Sequence, residues 1–130
     1  MPSSLASPRV ALSSGGSMPL IGFGTWGLKP RDVPSALLAA LRAGYRLFDL
    51  SPLYANEGKI GEVLARAMAD SEGAIRRSDL FLTSKAPPLV ACDREALLHA
   101  FRKTLRDLQT DYLDLYLVHW PFCVRNGSPT

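Results

Sequence analysis

The sequence predicts an α/β protein built on a parallel sheet, and three observations carry that prediction. Short apolar runs alternate with segments whose apolar residues recur at helical spacing, an order that requires βαβ crossovers. The last run, Tyr112–Val118, is apolar except for Asp114, as expected of a strand covered on both faces of a parallel sheet. Three ionisable residues, Asp49, Lys85 and His119, end successive strand runs at intervals of roughly 35 residues, about one βα unit each.

Taken in order, Val10–Leu12 and Met18–Ile21 flank the turn-forming Ser13-Ser14-Gly15-Gly16-Ser17, which reads as a β-hairpin. Leu20–Thr25 continues as a short strand. From about Val33 to Ala43, Leu37, Ala40 and Leu41 recur at helical intervals, with Pro34 suited to the first turn and Gly44 to the end. Tyr45–Leu50 is the second strand. Asn56 is expected to cap a helix that places Ile60, Val63, Leu64, Ala67 and Met68 on one face and stops at Gly73. Leu80–Ser84 is the third strand, Asp93 the cap of a helix with Leu97, Leu98, Phe101, Leu105 and Leu108 inward, and Tyr112–Val118 the fourth strand. The expected order is hairpin, β, α, β, α, β, α, β, in one domain over residues 1–130 with residues 1–9 disordered.

Composition narrows the function classes. A chain of 130 residues that is 47% hydrophobic is globular and holds one domain, yet is too short for a complete eight-fold (β/α) barrel of about 250 residues. No apolar run approaches the ~18 residues of a membrane span, so no membrane partner is expected. The charge of +3 comes from Arg9, Lys29 and Arg31 in an acid-free beginning, while the rest is balanced. No basic stripe with interleaved aromatics exists, and nucleic acid is not an expected partner. Residues 1–17 are Ser-rich and acid-free, a weak likeness to an organelle transit peptide that lacks both an Arg run and an amphipathic period; no secretory apolar region follows. The expected location is the cytoplasm. Cys92 and Cys123 lack metal-ligand spacing and are expected to be reduced bystanders, with no metal bound.

The strand ends hold the chemistry. Parallel strands side by side bring their C-terminal ends to one rim, where α/β folds build active sites. Tyr54, five residues past Asp49, reaches the same rim. Each residue has a commoner structural reading: His119 as a satisfied histidine after a strand, Lys85 as a solvated loop lysine, Tyr54 as an amphipathic rim residue, Asp49 as a loop cap. Their joint placement favours a proton-transfer site, because an ammonium beside a phenol stabilises the phenolate and makes the phenol a stronger acid.

With these residues in hand, the sequence resembles the aldo-keto reductase family from about Val10 to Pro121. M-P-L-I-G-F-G-T-W (18–26) is similar to the family's hairpin and first strand, and G-Y-R-L-F-D-L-S-P-L-Y-A-N-E (44–57) to its first signature. R-R-S-D-L-F-L-T-S-K (76–85) and L-D-L-Y-L-V-H-W-P (113–121) resemble the segments ending in its lysine and histidine. The resemblance implies a partial (β/α)₈ TIM barrel: an N-terminal β-hairpin, about three βα units and a fourth parallel strand. It implies hydride transfer from NADPH, or less often NADH, to an aldehyde or ketone. Tyr54 would be the general acid, Lys85 the cation that strengthens it, Asp49 the partner of Lys85, and His119 the group orienting the carbonyl. Thr25, Trp26 and Asp49 would meet the cofactor; Trp26, Tyr54, His119 and Trp120 would line the pocket for a small carbonyl substrate.

The sequence departs from the family pattern at Leu50-Ser51-Pro52 and at Ala86-Pro87-Pro88. The family's later segments, which meet the nicotinamide amide, the pyrophosphate and the adenosine phosphate, have no counterpart, and no G-x-G-x-x-G run replaces them. The chain is therefore expected to be a fragment or truncated form. The alternative is a catalytically silent half-barrel acting as an interaction or assembly subunit, self-associating through the open edge of the fourth strand. A nucleotide-binding module of open doubly wound type ranks last, for want of a glycine-rich phosphate loop.

Overall fold

The computed structural model describes residues 7–71, 74–125, 128 and 129. The hairpin pairs β1 (Arg9–Ala11) with β2 (Ser17–Pro19), Val10 opposite Met18. Its turn closes through Leu12 N–H to Gly16 O and Gly15 N–H to Leu12 O, at 2.8 and 3.0 Å. Gly15, at φ +89°, adopts a left-handed conformation that costs glycine nothing. Of residues 1–9, expected to be disordered, residues 7–9 are described. Arg9 is inside β1 and its guanidinium binds Ser17 Oγ and Ser17 O, while residues 1–6 lie outside the described residues. Leu20 and Ile21, expected both to close the hairpin and to open the next strand, lie between β2 and the strand Gly22–Gly24 and are exposed. The last bond across the hairpin is Leu20 N–H to Pro8 O at 2.7 Å, and Pro8 has no N–H to return it.

Four parallel strands form the sheet in the order β3 (Gly22–Gly24), β4 (Leu47–Asp49), β5 (Phe81–Ala86) and β6 (Leu115–Val118). Gly24, Asp49, Thr83 and Leu115 stand in one row across it. The connections are α1 (Val33–Arg42), α2 (Glu57–Asp70) and α3 (Arg94–Asp107), as the alternation requires. Val33, Leu37 and Leu41 of α1 and Ile60 and Leu64 of α2 share one core with Phe48, Leu50, Leu80, Leu82 and Leu108. The helices thus cover one face of the sheet. Side chains alternate along a strand, so Asp49 and Lys85, out of phase with Phe48 and Leu82, belong to the opposite face.

The helix ends show what local sequence decides. α1 stops where Gly44 (φ +94°) lets Gly44 N–H reach Leu41 O and Tyr45 N–H reach Ala40 O, a Schellman closure. α3 stops in the same way at Gln109, φ +52°. Asp93 Oδ1 accepts from Ala96 N–H at 2.8 Å, the expected cap. Asn56 stands at the start of α2 but makes no side-chain cap. It is buried, and both its amide protons go to carbonyls of the β3–α1 loop, Thr25 O and Leu28 O, each at 2.9 Å; pairing those buried carbonyls outweighs capping. Gly73, the expected stop of α2, lies outside the described residues.

Two further expectations are corrected. β6 is not covered on both faces: Leu117 is half-exposed and Val118 is 64% exposed, because β6 is an edge of the sheet. Asp114 precedes β6, where its carboxylate accepts from Arg77 and from Leu82 N–H at 2.9 and 2.8 Å. The cysteines are not reduced bystanders. Cys92 and Cys123 form a disulfide, their Cα atoms 5.9 Å apart. β5 and β6 are adjacent and parallel, so the loops leaving them meet, although 31 residues separate the two cysteines in sequence. A last short pair, β7 (Val124–Arg125) with β8 (Ser128–Pro129), follows. Among the described residues no helix is long and apolar enough to cross a membrane.

Gly61 of α2 lies against the end of α3. A Cβ there would meet Asp107 O and stand 2.7 Å from the backbone C and Cα of Leu108. Gly→Ala within a helix ordinarily stabilises by about 0.5–1 kcal/mol. Gly61→Ala is expected to do the reverse, lowering the unfolding free energy by roughly 1–3 kcal/mol in denaturant titrations.

Candidate active site

The site is assembled by the C-terminal ends of β4, β5 and β6. Asp49 is the last residue of β4, and its carbonyl accepts from Thr25 N–H at 3.1 Å and from Thr25 Oγ1 at 2.8 Å. Thr25 is fully buried, so its hydroxyl secures the Asp49 backbone. After Leu50 the chain enters a 3₁₀ turn, Pro52–Tyr54, capped by Ser51, whose Oγ accepts from Leu53 N–H at 3.2 Å. Pro52 supplies the φ that the first turn position needs. Ala55, at φ +55°, ends the turn. Tyr54 is thereby held over the rim by local backbone geometry.

Lys85 binds the parts together. Its Nζ donates to Asp49 Oδ1 at 2.7 Å, to Leu50 O at 2.8 Å and to Tyr54 Oη at 3.1 Å. An ammonium has three protons, and each has a partner here. The Lys85 side chain is 12% exposed and that of Asp49 40%, so the ammonium is largely withdrawn from water while the carboxylate faces the rim. The Tyr54 oxygen accepts from Lys85; its own proton is left to point elsewhere.

His119 follows β6 directly. Its Nδ1 lies 3.2 Å from Ser51 Oγ, its ring meets that of Tyr54 edge to face at 6.0 Å, and Trp120 stacks on it at 4.4 Å. Burial, and then the Lys85 charge, disfavour the imidazolium, so its pKa falls below the ordinary 6.5, with Asp49 opposing. The sign for stability follows. The unfolded chain takes up this proton first as pH falls, so the contribution of neutral His119 is complete above 6.5 and is lost as pH drops from there towards the folded value.

Tyr54, Lys85, Asp49 and His119 are therefore brought together as the strand-end spacing predicts. Trp26, 81% exposed, joins Leu53, Tyr54, His119 and Trp120 around a shallow depression of about 460 Å³. Thr25 is adjacent but turned to the Asp49 backbone. Ser51, Leu53 and the Leu50 carbonyl were missed by sequence reasoning; a Ser before Pro, the signature of a turn cap, was the available signal for Ser51. A groove of about 550 Å³ between α1 and α2 lies on the helical side, away from these residues. Among the described residues no group of three or more His, Cys, Asp or Glu could hold a metal ion.

Comparison with known proteins matches residues 20–126 to the Aldo/keto reductase family. The aldo-keto reductase family 1 member A1 proteins of Mus musculus and Homo sapiens are each 44% identical over 124 residues, covering 95% of this chain. The chain spans 38% of the length of those relatives. Among solved structures, the aldose reductase of Schistosoma japonicum superposes with a TM-score of 0.85 at 38% identity, covering 93% of this chain and 39% of that one. A Bombyx mori aldo-keto reductase solved in complex with NADP gives 0.86 at 30% identity, covering 97% and 42%. The parallel sheet and its three helices are part of the α/β barrel of those proteins.

If the Lys85 charge is felt at His119, Lys85→Met leaves the Asp49 carboxylate unopposed and the His119 titration midpoint rises. Histidine ring resonances followed by NMR against pH check this; a midpoint that stays put or falls contradicts it.

Proposed function

The chain belongs to the aldo-keto reductase family, and on that footing we propose that it is an NADPH-dependent oxidoreductase reducing an aldehyde or ketone, with Tyr54 as general acid. One observation carries the reading. Lys85, tied to Asp49 and to Leu50 O, donates its remaining proton to the Tyr54 oxygen at 3.1 Å. The phenolic proton is thereby free for an acceptor in the depression, and the phenolate left behind gains an ammonium partner already in place. Asp49 pairs with that ammonium at 2.7 Å and aims it. His119, at the other wall, binds the carbonyl oxygen and draws it towards Tyr54.

The residues present suit the nicotinamide end of a dinucleotide. Trp26 offers a flat, exposed aromatic face in the depression that Tyr54 also lines, and we assign it, with the Thr25 and Asp49 region, to that end; Trp120 is assigned to the substrate wall. NADPH, or alternatively NADH, would supply the hydride for the carbonyl carbon. A carbonyl compound seated against Trp26, Leu53 and Trp120 would displace water from its own oxygen, which strengthens the hydrogen bonds of Tyr54 and His119 to it. A small carbonyl compound is the proposed substrate.

A second reading, self-association, draws on the exposed outer strand. Val118 is 64% exposed and Leu117 half-exposed, and no strand pairs with the outer edge of β6 among the described residues. An apolar strand edge of this kind pairs readily with another chain.

Two measurements test these readings. Purified protein should bind NADPH, seen as fluorescence quenching, and reduce a simple aldehyde. Tyr54→Phe should cut turnover by about 10²-fold or more with binding retained, whereas unchanged turnover refutes the assigned acid. For self-association, solution mass should exceed that of the monomer, and Leu117→Asp should lower it; a monomer at all concentrations disposes of that reading.

A further inference from the structure

Ser51 is fully buried, and its hydroxyl carries one proton and two lone pairs. Leu53 N–H donates to Oγ at 3.2 Å, which uses a lone pair and leaves the proton to be placed. The one other partner of Oγ among the described residues is His119 Nδ1, at 3.2 Å. Two arrangements are possible for that contact. In one, Nδ1–H donates to Ser51, and the buried hydroxyl proton then has no acceptor. In the other, the hydroxyl donates to the Nδ1 lone pair, and every donor and acceptor is paired. A buried donor left unpaired carries the full penalty of its desolvation, so the second arrangement wins.

We infer that Ser51 is a positioning residue that holds His119 as the neutral Nε2–H tautomer. The ring nitrogen turned away from Ser51 then carries the proton, and His119 is a hydrogen-bond donor towards the depression it lines with Tyr54. Burial and the Lys85 charge, which already disfavour the imidazolium, act in the same direction.

The same oxygen does a second task. By capping the Pro52–Tyr54 turn it fixes the segment that carries Tyr54, so one hydroxyl ties the loop after β4 to the residue after β6 across the intervening β5. The two groups proposed to act on a carbonyl oxygen, the Tyr54 proton donor and the His119 N–H, are referenced to a single atom. Moving Ser51 would move both.

The consequence for catalysis rests on the carbonyl-reductase reading above, but the tautomer does not. It is measured without cofactor or substrate, so a wrong tautomer and an absent aldehyde activity are separate results. The chain has two histidines, and a His99→Gln variant assigns the spectrum. Long-range ¹H–¹⁵N correlation on the ¹⁵N-labelled full chain, above the pH where His119 titrates, is expected to show Nδ1 as the unprotonated nitrogen, the Nε2–H form exceeding the other by roughly tenfold. Ser51→Ala should reduce that ratio several-fold. A majority of Nδ1–H in the unsubstituted protein, or an unchanged ratio in Ser51→Ala, overturns the inference. Should the alanine variant fail to fold, the unsubstituted protein decides: a tenfold excess upholds the assignment, and an even mixture defeats it.

Discussion

Three hydrogen bonds from one ammonium hold the site together. Lys85 Nζ reaches a side-chain carboxylate, a main-chain carbonyl and a phenol, all supplied by the few residues between the end of β4 and the end of the following 3₁₀ turn. A largely buried ammonium is costly unless paired and hydrogen-bonded, and these partners offset that cost only in the register the sheet provides. Asp49 stands opposite Thr83, two residues before Lys85 on β5, so the lysine reaches diagonally across one strand gap. Thr25 steadies the Asp49 carbonyl from the other side. A slip in the β3–β4–β5 pairing would separate the charge pair and remove the group that fixes Tyr54.

The residue before Lys85 faces the other way and serves the fold. Ser84 Oγ donates to Glu57 Oε1 at 2.6 Å, and Thr104 Oγ1 donates to Oε2 at 3.1 Å. The first residue of α2 is thus tied to β5 and α3 beneath the sheet. Burial raises the pKa of Glu57 against the two hydroxyl bonds, which lower it. Its contribution to stability is therefore complete below its ordinary 4.5 and is lost as pH rises through the folded value. Tyr116 is pushed up to about 12, by burial first and by Glu57 second; above its ordinary 10.0 the unfolded chain ionises first, and stability falls with rising pH. Glu57 belongs to the helical layer, and Tyr116 of β6 faces it, its ring 5.0 Å from that of Phe101 of α3. Adjacent positions on one strand divide chemistry from support because the side chains of a strand alternate.

How much of this was legible varies with the range of the interaction. The strands, the helices, the Gly44 stop and the Asp93 cap were legible because each depends on neighbours within about a turn of chain. The gathering of Asp49, Tyr54, Lys85 and His119 was legible from a repeat of strand ends, since parallel pairing converts equal spacing into a common rim. Asn56 was misread because capping is a local preference, and its amide was claimed by two carbonyls from a loop 28 and 31 positions earlier. The cysteines were misread because their pairing follows from which strands are neighbours. The exposure of β6 was misread because an apolar string is the same whether the strand lies inside a sheet or on its edge.

By itself the sequence determined the order of elements, the faces that α1 and α2 bury, and which ionisable residues share a rim, because periodicity and turn chemistry act over a few residues. Of the inward set expected for α3 only Leu108, just past its end, is buried, and within the helix the buried residue is Thr104. The tertiary structure decided the rest: that one ammonium has three named partners, that Ser51 stands between Leu53 N–H and His119, that Thr25 braces Asp49, and that Cys92 meets Cys123. Each of these is a choice among competing partners within hydrogen-bonding or covalent reach. Such a choice depends on distances of a few ångströms between segments far apart in the chain, which packing and register set and no local pattern of residues encodes.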